Sequence, residues 1–590
     1  MNVKVIKEES KKVLNFLKQK KIQTIITVIL LIAIIFFTAQ IRTNNISLLK
    51  DATTGEYLTA DLDAFYWLRL AEVLNENGAY PEYDDMRYPL LKLPFTHEIL
   101  PNVLVFLYKI ISPFSENITL AYVDVIYPVI FFILSMIVFF FLVLRLTKSK
   151  LAALLSSFFL AIIPSYLFRT MAGVSDHEPI GMFAFFLALL SFTISVQQIE
   201  KKNSWKLATI FGIITGFLTV FNMAAWGGSA IFVLLIVPLT IFLLWITNVN
   251  KTEEGKNNLK EYLTFYISWV MSFILLGVVF SYPITTSLSF IMNIRGIIIP
   301  LVLIFLIVDY LVMHLKDKRI KEIGKYRIIL SLGISIILGI LISLIFNQAI
   351  GLSISNIISN ILRPFGGGRV GETVAENALP YTTDLMGQIG KSMFWIFFGG
   401  ILIMGIDFAR GIGKKKNKVL FSFLWALMIC GVLLHRYSTG SMFNGVSFIS
   451  KFFYIGSIIV FFGAFIWIYF KDKIIVKGDQ VILLLFTFFM AMAGVSAIRL
   501  LFIFTPIVCI VSGYAIVKVY QYARESKDEI FKLIFYAALV GVIGLLIFAS
   551  VNYINAIKIQ STQIGSSANA QWQYSMEWVR ENTQPGEVFV

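Results

Sequence analysis

Apolar runs of about 20 residues recur along almost the whole of this 590-residue chain, and they restrict its fold more than any other feature. A segment such as TIITVILLIAIIFFTAQ (24–40) is long enough to cross a bilayer as a helix, and it lacks the two-residue alternation of a barrel strand. Charged residues make up only 14% of the chain, against about 25% in a soluble domain, while 58% are hydrophobic. The sequence therefore predicts an all-α polytopic membrane protein and excludes both a soluble domain and a β-barrel.

Spans are expected near 22–41, 125–146, 151–168, 179–197, 205–222, 229–247, 262–283, 295–315, 327–349, 393–410, 418–434, 452–470, 480–498, 500–519 and 529–550, within a total of about 13–15. The net charge of +15 lies beside these spans, so it reports topology rather than nucleic-acid binding. If the lysine-rich start MNVKVIKEESKKVLNFLKQKK is cytoplasmic, the loops after every second span should be basic. They are, from Lys148/Lys150 and Lys201/Lys202/Lys206 through RGIGKKKNK (410–418) to Arg524/Lys527/Lys532. The first run is too long for a signal peptide and follows this basic start, so it reads as a retained span of a cell-membrane protein. The organisation expected is a cytoplasmic segment 1–21, a multi-span domain 22–550 and an external segment 551–590. External loops fall at 42–124, 168–178 and 350–392. In the last segment NAQWQYSMEWVREN (569–582) reads as an amphipathic helix and VFV (588–590) as the opening of a strand, as if a soluble α/β domain begins and is cut off. Cys430 and Cys509 both fall inside spans, so no disulfide framework is expected.

Asp176 and Glu178, in FRTMAGVSDHEPIG (168–181), are the sharpest local signal. In extended backbone residues i and i+2 point the same way, so both carboxylates can reach one ligand. Pro179 suits the first turn of the span behind them, where a helix N-terminus tolerates anions. The competing reading is an N-terminal cap, which accounts for one acid but not for two. Asp63, in TADLDAFYWLRLAE (59–72), and Glu376, in GETVAENALP (371–380), are weaker, since surface acids are usually solvated and Asp61 and Glu372 lie close by. All these acids share the expected outer face. Clustered carboxylates repel, and a hard cation, Mn²⁺ or Mg²⁺, resolves the repulsion with oxygen ligands. Of His97, His177, His314 and His435, only His177 lies between two acids and is a candidate extra ligand, although alternation turns it the other way. Arg169 and Arg499 are expected at outer helix ends. Each either snorkels to the interface or binds an anion, for which a guanidinium fork suits phosphate. Acids, a metal and arginines at one membrane face point to transfer of a group from a lipid phosphate carrier.

Several segments together resemble the catalytic subunit of oligosaccharyltransferase, its archaeal form above all. DAFYWLR (63–69) resembles the family's first-loop aspartate segment, and RTMAG (169–173) with SDHE (175–178) its second acidic motif. MAAWGG (223–228) resembles a Trp-Gly-Gly signature, TVAE (373–376) the Ser/Thr-x-x-Glu motif of the fifth external loop, and IRLLFIFTPIVCIVSG (498–513) the stretch with a phosphate-binding arginine. The matches run in family order over nearly the whole membrane part. The resemblance implies a GT-C-type membrane domain. It also implies transfer of a glycan en bloc from a dolichyl phosphate or diphosphate carrier to the side-chain amide of Asn in Asn-x-Ser/Thr. In that reading Asp63, Asp176 and Glu178 hold the metal, with His177 beside them. Asp63 and Glu376 bind the acceptor amide, Arg169 and Arg499 the donor phosphate, and Trp226 lines the donor site. The implied partners are a lipid-linked donor and an acceptor polypeptide, with catalysis by a single subunit.

Two departures stand out. Two spans more than the family's thirteen fall between 411 and 479, and the Trp-Trp-Asp-Tyr-Gly motif that reads the Ser/Thr of the acceptor does not occur. Asn45-Ile46-Ser47 and Asn117-Ile118-Thr119 are themselves sequons on expected outer loops. The alternatives are another polyprenyl-phosphate-dependent glycosyltransferase, acting on a hydroxyl or a lipid, and a lipid-glycan flippase or transporter. Asp309 and Asp407 are expected near inner helix ends as capping or snorkelling residues.

Overall fold

The described part of each expected span is mainly helical in the computed structural model, which describes residues 19–84, 91–92, 99–248, 258–281, 284, 287–288, 296–315, 326–345, 375–584 and 587. Among these, eleven helices are long and apolar enough to cross a membrane, or twelve if Lys150–Ile162 and Pro164–Thr170, bent by 79°, form one broken span. The spans expected at 295–315, 327–349 and 480–498 are shorter apolar helices, Ile298–His314, Arg327–Leu341 and Gly478–Gly494. The chain is a multi-pass membrane protein. Residues 1–18, His97, the glycine run 366–368, Thr373, Val374 and the expected strand 588–590 lie outside the described residues.

The helices that place the site have readable ends. Helix α1 (Lys20–Arg42) closes on Arg42, and α2 (Leu62–Asn77) opens at Asp61, whose side chain accepts from the Leu62 amide, and stops at Gly78 with φ 72°. Helix α3 (Leu120–Thr147) is capped by Thr119, which accepts from the Tyr122 amide. Helix α4 (His177–Lys202) is capped by Asp176, with Pro179 in its first turn. Helices α3 and α4 pack side by side. At about 1.5 Å per residue α3 is roughly 40 Å long, so Lys148 at its end lies a membrane's width from Tyr127 near its start. Helices α5 (Lys415–Leu434) and α6 (Phe448–Lys471) form a hairpin in the region 411–479. Helix α7 (Leu501–Glu525) is buried along its apolar length, whereas Glu529–Ser561 exposes Ile530, Leu533, Val540 and Phe548, as a lipid-facing helix does.

Buried acids fasten helices to one another. Asp309 accepts from Trp245 Nε1 at 2.8 Å, from Arg327 Nε and Nη2 at 3.0 Å each and from Ser331 Oγ at 2.8 Å. Asp407 accepts from Tyr514 and from Tyr522 at 2.6 Å, with Lys518 Nζ at 2.9 Å. Capping or snorkelling was the expectation for both; instead they are the centres of inter-helix networks.

The amphipathic helix α8 (Ala570–Asn582) docks against the segment that follows α1. Ala52 N donates to Gln573 Oε1 at 2.8 Å, Arg580 Nη2 to Thr53 Oγ1 at 2.9 Å and Ser567 N to Ala60 O at 3.2 Å. Asn45, the first residue of one sequon, is fully buried and donates to Ala172 O and Ile564 O at 2.9 and 3.0 Å. It is a structural residue, while Asn117 of the other sequon is exposed.

Candidate active site

The segment 168–178 owes its course to a buried cation. Arg42, fully buried, donates from Nε to Thr170 Oγ1 at 2.8 Å and from Nη1 to Ala161 O at 3.3 Å, with its guanidinium 3.7 Å from the centre of the Phe132 ring. Its own carbonyl accepts from Ala172 N at 2.9 Å. Gly173, with φ +83°, donates to Val125 O and accepts from Ala60 N, both at 2.8 Å. A Cβ there would meet Leu49 Cδ1 at 2.6 Å, so only glycine fits. Ser175 Oγ donates to the buried Asp124, and Tyr127 OH donates to Asp176 O at 3.0 Å. These ties deliver Asp176 and Glu178 to the start of α4.

Both readings of Asp176 hold, one for each oxygen. Oδ1 accepts from His177 N at 2.7 Å as a helix cap, while Oδ2 lies 3.5 Å from Arg169 Nη1. The same Nη1 is 3.4 Å from Glu178 Oε1 and 3.9 Å from Asp61 Oδ2, and Arg169 Nη2 donates to Glu376 Oε1 at 3.1 Å. One guanidinium thus lies within 4 Å of four carboxylates drawn from three distant parts of the chain. Glu178 Oε2 is buried without a hydrogen-bond partner. Asp63 stands in the first turn of α2, two residues beyond Asp61. Lost hydration, then the charges of Asp176 and Asp61, raise its pKa above the ordinary 3.8; Arg169 opposes the rise and Glu376 adds to it.

The remaining expected residues stand on elements next to those that carry the cluster. The His177 ring packs edge-on against Trp67, centroids 4.6 Å apart. Trp226 fills the space beside Gly181, where a Cβ would meet its own at 2.4 Å, and lies 6.4 Å from the Phe502 ring. Arg499 is exposed on the turn Ile498–Leu500, and Ile498 N donates to Ala378 O at 3.0 Å, two residues past Glu376. Among the described residues, no three His, Cys, Asp or Glu side chains form a ready metal sphere. Arg42, Asp124 and Tyr127 escaped the sequence reading. Asp124 carried a signal, an isolated acid at the edge of an apolar span, where a carboxylate is expensive; Arg42 and Tyr127 look like ordinary interface residues.

Residues 25–366 match the family described as oligosaccharyl transferase STT3, N-terminal. A dolichyl-phosphooligosaccharide-protein glycotransferase of Archaeoglobus fulgidus is 28% identical over 206 residues, 35% of this chain and 31% of that protein. One of Methanocaldococcus jannaschii is 24% identical over 500 residues, 76% of this chain and 52% of that protein. The archaeal oligosaccharyltransferase AglB from A. fulgidus, solved with an inhibitory peptide and a dolichol-phosphate, aligns with TM-score 0.60 at 16% identity over 94% of this chain and 58% of its own. An oligosaccharyltransferase from A. fulgidus has also been solved with Zn and sulfate. The fold is therefore shared, and this chain spans about half or less of these curated relatives.

Proposed function

We propose that this chain, which belongs to the oligosaccharyl transferase STT3 family, is a membrane glycosyltransferase that moves a glycan en bloc from a dolichyl phosphate or diphosphate to Asn in Asn-x-Ser/Thr. The observation that carries the proposal is the convergence of Asp61, Asp176, Glu178 and Glu376 on Arg169. The alternation of basic loops supports a cytoplasmic N-terminus and an external site in the cell membrane.

An amide nitrogen is a poor nucleophile, because its lone pair is delocalised; in a peptide bond that delocalisation sets a rotation barrier of ~18–20 kcal/mol. In this reading Asp63 and Glu376 accept the two N–H groups of an acceptor amide and so favour a twisted, more reactive form. Arg169 and Arg499 supply donors for the departing phosphate. A guanidinium has five N–H groups, so Arg169 can keep Glu376 and still meet a phosphate oxygen. Trp226 would shape the wall of the donor site.

The donor set suits a hard cation. Every candidate ligand but His177 is a carboxylate, the acids outnumber Arg169, and Glu178 Oε2 is buried with no hydrogen bond. Asp63, Asp176 and Glu178, with His177 beside them, would hold Mn²⁺ or Mg²⁺. When bound, such an ion acts as a Lewis acid toward the leaving phosphate oxygen. The competing hydroxyl glycosyltransferase is separated by a peptide pair: Asn-x-Thr should be modified and its Gln-x-Thr analogue should not. Equal modification of both peptides, or of neither, would reject the proposal.

A further inference from the structure

A second polar hollow lies beside the acidic site and has the opposite charge. Its walls include Leu379, His435, Arg436, Gly445, Lys451 and Ser496, and its volume is about 220 Å³. At about 30 Å³ per water, it has room for an oxyanion with its hydration. No acidic side chain lines it among the described residues. Arg436 Nε is buried there without a hydrogen-bond partner, and no carboxylate among the described residues pairs with Arg436 or Lys451.

Much of the hollow comes from the connection between α5 and α6. Tyr437 N donates to Phe443 O at 2.7 Å, and Ser450 Oγ donates to His435 O at 2.8 Å. Asn444 Oδ1 accepts from Val446 N and Ser447 N at 2.9 and 2.8 Å, which folds the loop back. Gly445 has φ +80°, and a Cβ on it would meet Arg436 Cγ at 2.7 Å and Nη1 at 2.9 Å. The glycine thus lets the guanidinium lie flat against the loop, where it also covers the Tyr381 ring at 4.3 Å. Two of its lining residues are close in sequence to the proposed active site. Leu379 follows Ala378, whose carbonyl accepts from Ile498 N, and Ser496 lies three residues before Arg499.

We propose that this hollow binds an oxyanion of the lipid-linked donor, a second phosphate or a carboxylated sugar, through Arg436 and Lys451. Both sources share the chemistry of a fully ionised oxygen anion that takes charge-assisted hydrogen bonds. The inference rests on the transferase reading and extends it to donor selection by residues outside the acidic cluster.

Two measurements test it on the solubilised full chain. In the first, donor KM is compared for the wild type, K451Q and R436Q/K451Q, using carriers with one or two phosphates, each bearing a neutral or a uronic-acid sugar. The expected result is a tenfold or greater rise in KM with kcat within twofold, confined to donors that carry the matching anion; which donors respond identifies the source. KM unchanged from the wild type in both variants for every donor, in protein that turns over, would overturn the hollow and leave the transferase reading intact. In the second, equilibrium binding of inorganic pyrophosphate and of glucuronate is measured without turnover. Weakening in K451Q, whose side chain is exposed and does not brace the fold, supports the site even if no glycan is transferred. Unchanged affinity for both probes in both variants would overturn it.

Discussion

Arg169 Nη2 donates to both oxygens of Glu376, at 3.1 and 3.3 Å, across 207 residues of sequence. Glu376 is more than half exposed, so the pair adds little stability. Its worth is positional, because it holds the short helical turn 375–377 against the segment that carries Asp176 and Glu178. Glu376→Gln should therefore leave the unfolding temperature within a degree or two and lower kcat by about 100-fold, the usual cost of a misplaced electrostatic group. A large fall in unfolding temperature would instead make Glu376 structural.

Arg169→Gln should behave differently. It leaves the largely buried Asp176 and Glu178 facing each other without their cation, and removing one partner from such a cluster costs several kcal/mol, of the order of 3–5 for a fully buried pair. Thermal unfolding should show an early transition for Arg169→Gln, with recovery when Mn²⁺ is added. No recovery at saturating ion would count against metal binding by these acids.

Asp63 sets a pH dependence whose sign can be worked out. Its folded pKa is above the ordinary 3.8, so between the two values the folded chain binds more protons and loses stability as pH rises. Amide or cation binding needs the carboxylate, so activity should fail on the acid side at a higher pH than an unperturbed aspartate would set. Asp61→Asn keeps the helix cap and removes one of the charges responsible. The acid limb of the rate profile should then move to lower pH, and an unmoved limb would show that another group controls it.

Gly173→Ala tests the course of the acidic segment. The residue has φ +83° and no room for a methyl group, so strain of about 1–3 kcal/mol is expected, together with loss of transfer because Asp176 follows three residues later. Gly55→Ala is the control: φ is +75° but nothing lies within 4 Å, so activity should survive. Equal effects of the two substitutions would deny Gly173 its special place.

The legible part of the molecule was what depends on solvent. Apolar length located the helices, though not which of them are long enough to cross, and alternation of basic loops put Asp63, Asp176, Glu178 and Glu376 on one expected face. Packing was not legible. Arg42 ends a span like any interfacial arginine, yet it is fully buried and carries the 168–173 turn. Asp309 and Asp407 read as helix-end acids, because nothing local to them announces partners such as Arg327 or, 107 residues away, Tyr514. That Asp61 rather than Asp63 lies within 4 Å of Arg169 follows from one helix cap, too fine a detail for residue spacing.

Asp309 offers a stability test far from the chemistry. Asp309→Ala strands Arg327 and Trp245 in the helix bundle and should cost about 3–5 kcal/mol, with the folded fraction retaining its donor KM. A change in KM at equal folded protein would link this network to the site.

The central claim is that one acidic, metal-assisted site on this chain makes an Asn-linked glycan, and glycopeptide formation tests it most directly. Membranes containing the chain, alone and continued through any coding sequence that follows it, are given lipid extract and a fluorescent Asn-x-Thr peptide, with Mn²⁺ or with EDTA. The account predicts glycopeptide with Mn²⁺, none with EDTA, and none from Asp63→Ala or Glu376→Gln. Glycopeptide that persists in EDTA and in both variants would contradict it, as would its absence from both forms of the folded protein supplied with verified donor.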